Sequence, residues 1–224
     1  MKTTKALLTG AFALLTLFPA AAGTYVSTDK TVTPTQPPPP EPCAGPISYS
    51  NVELLYVYTD FDDDFGGGDH ADGARLALEF AVAERWYIAL GADWTSDNDL
   101  DLWIINGGVG ISIPFTENIH GVVEGGALWV DVEFDDDGVG LPDPDDGEWG
   151  WYVKPHLRGK WGCFEAHVGA MYRDLGDFNN GGDDGRWSGF GKIYYHLNNS
   201  WDLTAGVLFE EDITQWSGGV RWRF

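Results

Sequence analysis

Four basic side chains recur at every second residue in the stretch "KPHLRGK": Lys154, His156, Arg158 and Lys160. On an extended chain this spacing places all four on one face. Such a stripe can pair with carboxylates or hold passing anions. Carboxylates with the same alternation occur elsewhere, notably Glu53, Glu79, Glu124 and Glu165, and Arg75, Arg173, Lys192, Arg221 and Arg223 add further cations. Asp93, His167 and Asp202 share their face. A buried charge without a partner is very costly. The sequence therefore predicts either a structural ion-pair network that fills an interior or the basic constriction of a narrow, gated pore.

Two acidic stretches suggest a different chemistry. "DFDDDFGGGDHADG" and "DPDDGE" combine alternate carboxylates with glycine, as calcium loops do, and Asp60, Asp62, Asp64, Asp143 and Asp145 are the candidate ligands for Ca2+ or Mg2+. Neither stretch keeps the full loop spacing with a terminal bidentate Glu, so loops kept solvated by their charge are the plainer reading. His70 beside Asp69 or Asp72 is the one arrangement with the elements of a general base. No Ser-His-acid set, phosphate loop or Cys/His metal cluster accompanies it, and the expectation is a non-enzyme that needs no cofactor. The only cysteines are Cys43 and Cys163.

The elements that must position these residues are strands. Residues 1–22 read as a secretory signal peptide: Lys2 and Lys5 precede an apolar run from Ala6 to Phe18, and Ala20 and Ala22 mark a small-residue cleavage site. Its removal takes the formal charge from −22 to about −24, which disfavours nucleic acid as a partner. Residues 23–47 form a Thr/Pro-rich linker with four consecutive prolines. From 48 to 224 the apolar period is two. Ten strands are predicted near 50–59, 74–83, 86–96, 102–114, 119–131, 149–161, 163–173, 187–197, 200–210 and 214–224, with eight as the alternative. Short turns and longer loops alternate between them, and 25 of the 35 carboxylates lie in or beside the connections of one end.

The face opposite the charges is apolar throughout, and all 11 Trp lie on it, mostly at strand ends. A Lys or Arg on a lipid-facing strand costs about 2–4 kcal/mol at the bilayer midplane, so a charge-free face is expected if lipid is its solvent. Two aromatic belts at opposite strand ends fit the two membrane interfaces. A soluble barrel with the Trp face inward would have to crowd these rings at its rims. Pro155 interrupts this pattern, and a bulge in the sixth strand is expected there.

The chain ends "GVRWRF", with alternating aromatics and a terminal Phe. This resembles the C-terminal strand of small bacterial outer-membrane β-barrel proteins of the OmpA/OmpX kind. The resemblance covers the signal peptide and residues from about 48 to 224. It implies an all-β, antiparallel up-and-down transmembrane barrel with both termini periplasmic, and Trp222 and Phe224 as the signal read by the barrel-assembly machinery. The implied surroundings are outer-membrane lipid and lipopolysaccharide, whose phosphates divalent cations would bridge to the acidic loops. The surface ligand is unknown. Barrel proteases of the omptin type also have ten strands, but the flanks of His70 do not match theirs. With this topology Cys43 and the turn holding Cys163 fall on the periplasmic side. A disulfide between them would strap the Pro-rich tail beneath the barrel mouth, the alternative being independent thiols or an intermolecular bond.

Overall fold

The structure is a computed structural model that describes residues 43, 45–61, 70–97, 100–134, 147–174 and 185–224. The signal peptide and most of the linker lie outside these. Ten strands run β1 (Asn51–Phe61), β2 (His70–Ala81), β3 (Trp86–Asp97), β4 (Leu100–Pro114), β5 (Ile119–Phe134), β6 (Glu148–Trp161), β7 (Phe164–Asp174), β8 (Arg186–His196), β9 (Trp201–Glu210) and β10 (Ile213–Arg223). Each pairs antiparallel with its sequence neighbours, and β1 pairs with β10 from Asn51↔Arg223 to Phe61↔Ile213, which closes the barrel. Ten strands, not eight, form the wall.

The turns at one end are tight for local reasons. Between β6 and β7, Gly162 takes a φ of +58°, a left-handed conformation that glycine adopts without a Cβ penalty. Between β8 and β9 the Asn198 side-chain oxygen accepts from the amides of Ser200 (2.8 Å) and Trp201 (2.9 Å). Between β4 and β5, the Phe115 amide donates to the Ile119 carbonyl at 2.9 Å.

Two expectations need correction. β2 begins at His70, four residues before the predicted start, because β1 offers ladder partners up to Asp60↔His70. The apparent loop residues "HADG" are thus strand. Gly73 is required there: a Cβ on it would lie 2.0 Å from the Trp94 carbonyl oxygen. Pro155 makes no bulge. The β5–β6 register passes through Val123↔Pro155 unshifted, and β6–β7 pairing resumes at His156↔Gly169 in the register set by Val153↔Tyr172. Proline lacks the N–H and so removes a rung without requiring an extra residue.

The alternation sorts side chains as the period-two pattern demands. Leu54, Leu76, Leu90, Ile105, Val123, Val168, Ile193 and Leu203 are exposed on the outer wall, as are ten of the Trp residues. Trp129 is half-buried, and Gly147 leaves room for its ring. At the loop end the outward rows finish in Asp60, Asp72, Asp101, Asp131 and Asp174. Two of these bind outward aromatics: Asp174 accepts from the Trp151 indole at 3.1 Å, and Asp72 from the Tyr56 hydroxyl. The inner face is less uniformly charged than predicted. Leu128, Val130, Val132 and Tyr152 form a buried cluster with Leu102, Ile104 and Met171, and Tyr87, Ala89 and Val122 form another against Tyr49.

Candidate functional site in the barrel lumen

The inward positions of β1 to β3 and β5 to β10 bring the sequence-predicted charges into one interior. Seven cations (Arg75, Lys154, Arg158, Arg173, Lys192, Arg221, Arg223) pair with seven carboxylates (Asp93, Glu124, Glu79, Glu210, Glu53, Glu165, Asp202). The pairs lie at successive heights.

At the turn end Arg221 is the hub. Its Nε donates to Asp202 at 2.6 Å, and Nη1 and Nη2 donate to the two oxygens of Glu165 at 3.1 and 3.0 Å. Its guanidinium also stacks 3.6 Å from the Tyr194 ring centroid. Asp202 further accepts from His196 Nδ1 (2.6 Å) and Arg223 Nη2 (2.8 Å), and Glu165 from His167 Nε2 (2.7 Å). Bidentate geometry of this kind gives the strongest charge-assisted bonds.

Higher in the lumen, pairs reach across it. Arg158 on β6 meets Glu79 on β2, with the Nη1 contact at 2.8 Å, and Asn51 donates to the same carboxylate at 3.0 Å. Glu53 on β1 accepts from Lys192 (2.8 Å) and Tyr194 (2.7 Å) on β8. Glu124 accepts from Tyr87 (2.8 Å), Tyr152 (3.2 Å) and Lys154 (2.7 Å). Glycines on β4 make room for these phenols: a Cβ on Gly110 would fall 2.1 Å from Tyr87 Cζ, and one on Gly108 would fall 2.5 Å from the Tyr152 hydroxyl. His156 is held by its Nδ1 at the Lys154 carbonyl (3.2 Å) and by Nε2, which accepts from Arg158 Nε at 3.0 Å. Above the Arg158–Glu79 pair lies a cavity of about 250 Å³ whose walls include Arg75, Asp93, His167, Arg173 and Phe190. At its loop end Arg75 bonds Asp93 and Gln215 (2.7 Å), and Arg173 bonds Glu210.

Lys160 departs from the predicted network. Its ammonium donates at 2.7 Å to the carbonyl of Gly45, not to a carboxylate. That carbonyl belongs to the segment before β1, whose role is not apparent in sequence. Ile47 is buried, and Tyr49 stacks on Tyr87 (5.2 Å between centroids), lies beneath Arg158 (4.7 Å) and shares a hydrogen bond with His120 Nδ1 at 2.9 Å. Burial raises the Tyr49 phenol above its ordinary pKa, so it stays protonated. Cys43 and Cys163 form a disulfide with their Cα atoms 4.9 Å apart.

The remaining candidates are scattered. Of the proposed calcium ligands, Asp62, Asp64, Asp143 and Asp145 fall outside the described residues, and Asp60 pairs with His70 one residue before the end of β1. Among the described residues no group of three or more His, Cys, Asp or Glu is arranged to hold a metal ion. His70 stacks on Tyr58 at 5.7 Å, and Asp72 accepts from Tyr56. Trp222 packs between Trp201 (6.5 Å) and Phe224 (5.0 Å) on the outer wall, and Phe224 meets Phe80 at 6.4 Å.

No family model matches the chain, and no curated protein matches it either. Solved structures do. The NanC porin is similar with a TM-score of 0.52 at 9% identity, over 77% of this chain and 100% of that one. Neisserial surface protein A gives a TM-score of 0.44 at 11% identity, covering 79% of this chain and 98% of its own. OprG from Pseudomonas aeruginosa gives 0.41 at 12%, covering 78% and 94%. The closed up-and-down ladder and its likeness to the NanC porin give this chain the fold of the outer-membrane β-barrels.

Proposed function

We propose that the protein is a bacterial outer-membrane barrel with a sealed lumen, which serves as a structural support for its acidic extracellular loops and meets its partners through them. The observation that carries this reading is the set of transverse pairs, above all Arg158–Glu79 between β6 and β2. Arg158 is almost wholly buried, and opening a path past it would separate two charges in a low-dielectric interior. Both termini would then be periplasmic, and Trp222 and Phe224 would present the aromatic strand that the assembly machinery reads. The outward Asp60, Asp72, Asp101, Asp131 and Asp174 stand at the loop end. There they would draw Mg2+ or Ca2+ and bridge through it to the phosphates of lipopolysaccharide.

A small gated pore is the rival, and single-channel recording distinguishes the two. Refolded protein in a planar bilayer is expected to show no steady openings. Reproducible unitary conductance from protein verified as folded would replace the sealed barrel with the pore.

A further inference from the structure

In a ring of ten strands β6 stands directly opposite β1. The short segment ahead of β1 is joined to the barrel at both sides of its mouth. One end continues into Asn51 on β1, and the other is bonded through Cys43 to Cys163 in the β6–β7 turn. Between these anchors the chain crosses the turn end of the lumen. Gly45 caps Lys160, Ile47 is buried, and Tyr49 covers Tyr87, His120 and Arg158. Both cysteines are partly exposed, so the bond is accessible from the turn side.

We propose that residues 45–50 are a movable floor and that the Cys43–Cys163 disulfide is its redox latch. With the bond intact the segment is a bridge tethered at two opposite walls. With the bond reduced it is a tail tethered at one, held by the Gly45–Lys160 and Tyr49–His120 hydrogen bonds, the Tyr49 ring contacts and the buried Ile47 side chain, with Ser50 at its β1 end accepting from the amides of Phe224 and Ala81 (both 3.2 Å). The step is a thiol–disulfide exchange with an exported dithiol. Its thiolate attacks one sulfur to form a mixed disulfide, and its second thiolate then displaces the protein cysteine. The protein bond is reduced to two thiols as the dithiol is oxidised to its own disulfide. Release of the floor exposes Lys160, Tyr87 and His120 to the turn-side compartment. It goes beyond the sealed-lumen reading and is separable from it, because Arg158–Glu79 blocks the lumen whether or not the floor is in place.

The test is amine acylation of the refolded full-length barrel, with site occupancy read by mass spectrometry before and after dithiothreitol, and again for the C43S/C163S double variant. Lys154 and Lys192, which the floor does not touch, are internal references. Losing one of two tethers lowers the effective concentration of the floor at its seat, so Lys160 acylation is expected to rise about tenfold or more in both reduced and variant protein. Lys154 and Lys192 should not change, and heat-modifiable gel mobility should stay that of a folded barrel. Lys160 equally protected with and without the bond would overturn the latch. So would a common rise at all three lysines, which would mean that the whole barrel had opened. If the double variant fails to fold, reduction of the folded wild-type protein gives the same readings.

Discussion

Arg221 and Arg75 both face the lumen and both bond to carboxylates, yet they sit in different surroundings. The Arg221 side chain is 0% exposed, and its partners Glu165 and Asp202 are sealed with it. Arg75 is 23% exposed and Asp93 16%, at the wall of the cavity. The turn-end half of the lumen is a dense, closed network with tyrosine rings as fillers. The loop-end half is a looser set of pairs around empty volume. The contrast shows that burial, more than the presence of a partner, sets how much each ion pair constrains the fold.

The contrast is broken most severely by removing the hub. Arg221→Met would leave the buried Glu165 without its arginine and Asp202 with Arg223 alone, at an expected cost of about 3–5 kcal/mol. The fall should appear as a lower urea midpoint for barrel unfolding in lipid vesicles. A smaller effect is expected from crowding the turn-end packing without touching a charge. Gly110→Val would push the Tyr87 ring off its seat beside Glu124, and overpacking of this kind costs about 1–3 kcal/mol. Tyrosine fluorescence should change with it. Least is expected from Arg75→Met, because Asp93 keeps access to water in the cavity. A loss of about 1 kcal/mol or less is anticipated in the same urea titration. Equal losses for Arg221→Met and Arg75→Met would remove the distinction between the two halves.

Much of this was legible in the sequence, because one face of every strand is apolar and exposed while the other turns inward. Period two alone identified ten strands, separated Leu54 from Glu53 and Trp222 from Arg221, and set the inward charges on one face. It did not assign partners. Which carboxylate Arg158 meets depends on how β6 faces β2 across a closed ring, a relation between residues 79 positions apart. Tyr87, Tyr152 and Tyr194 were missed because a tyrosine fits either face of a barrel strand. Their inward placement shows in sequence only as glycines on the neighbouring strand, such as Gly110. Glu210 reads as part of an acidic turn, "EED", but is the buried partner of Arg173. Tyr49 and Ile47 follow the proline-rich linker, whose last proline is Pro46, and carry no periodic signal, so their place inside the mouth was invisible.

The balance of the lumen has an electrical consequence. Seven cations matched to seven carboxylates leave these lumen pairs neutral, while the outward Asp60, Asp72, Asp101, Asp131 and Asp174 stand together at the loop end of the wall. Among the described residues, negative charge therefore stands on the outer wall at one end of the barrel. Its field reaches outward by about one Debye length, roughly 8 Å at physiological salt. Within that layer cations and basic peptides are concentrated and anions are turned away, so the protein sorts approaching solutes by sign before any of them makes contact.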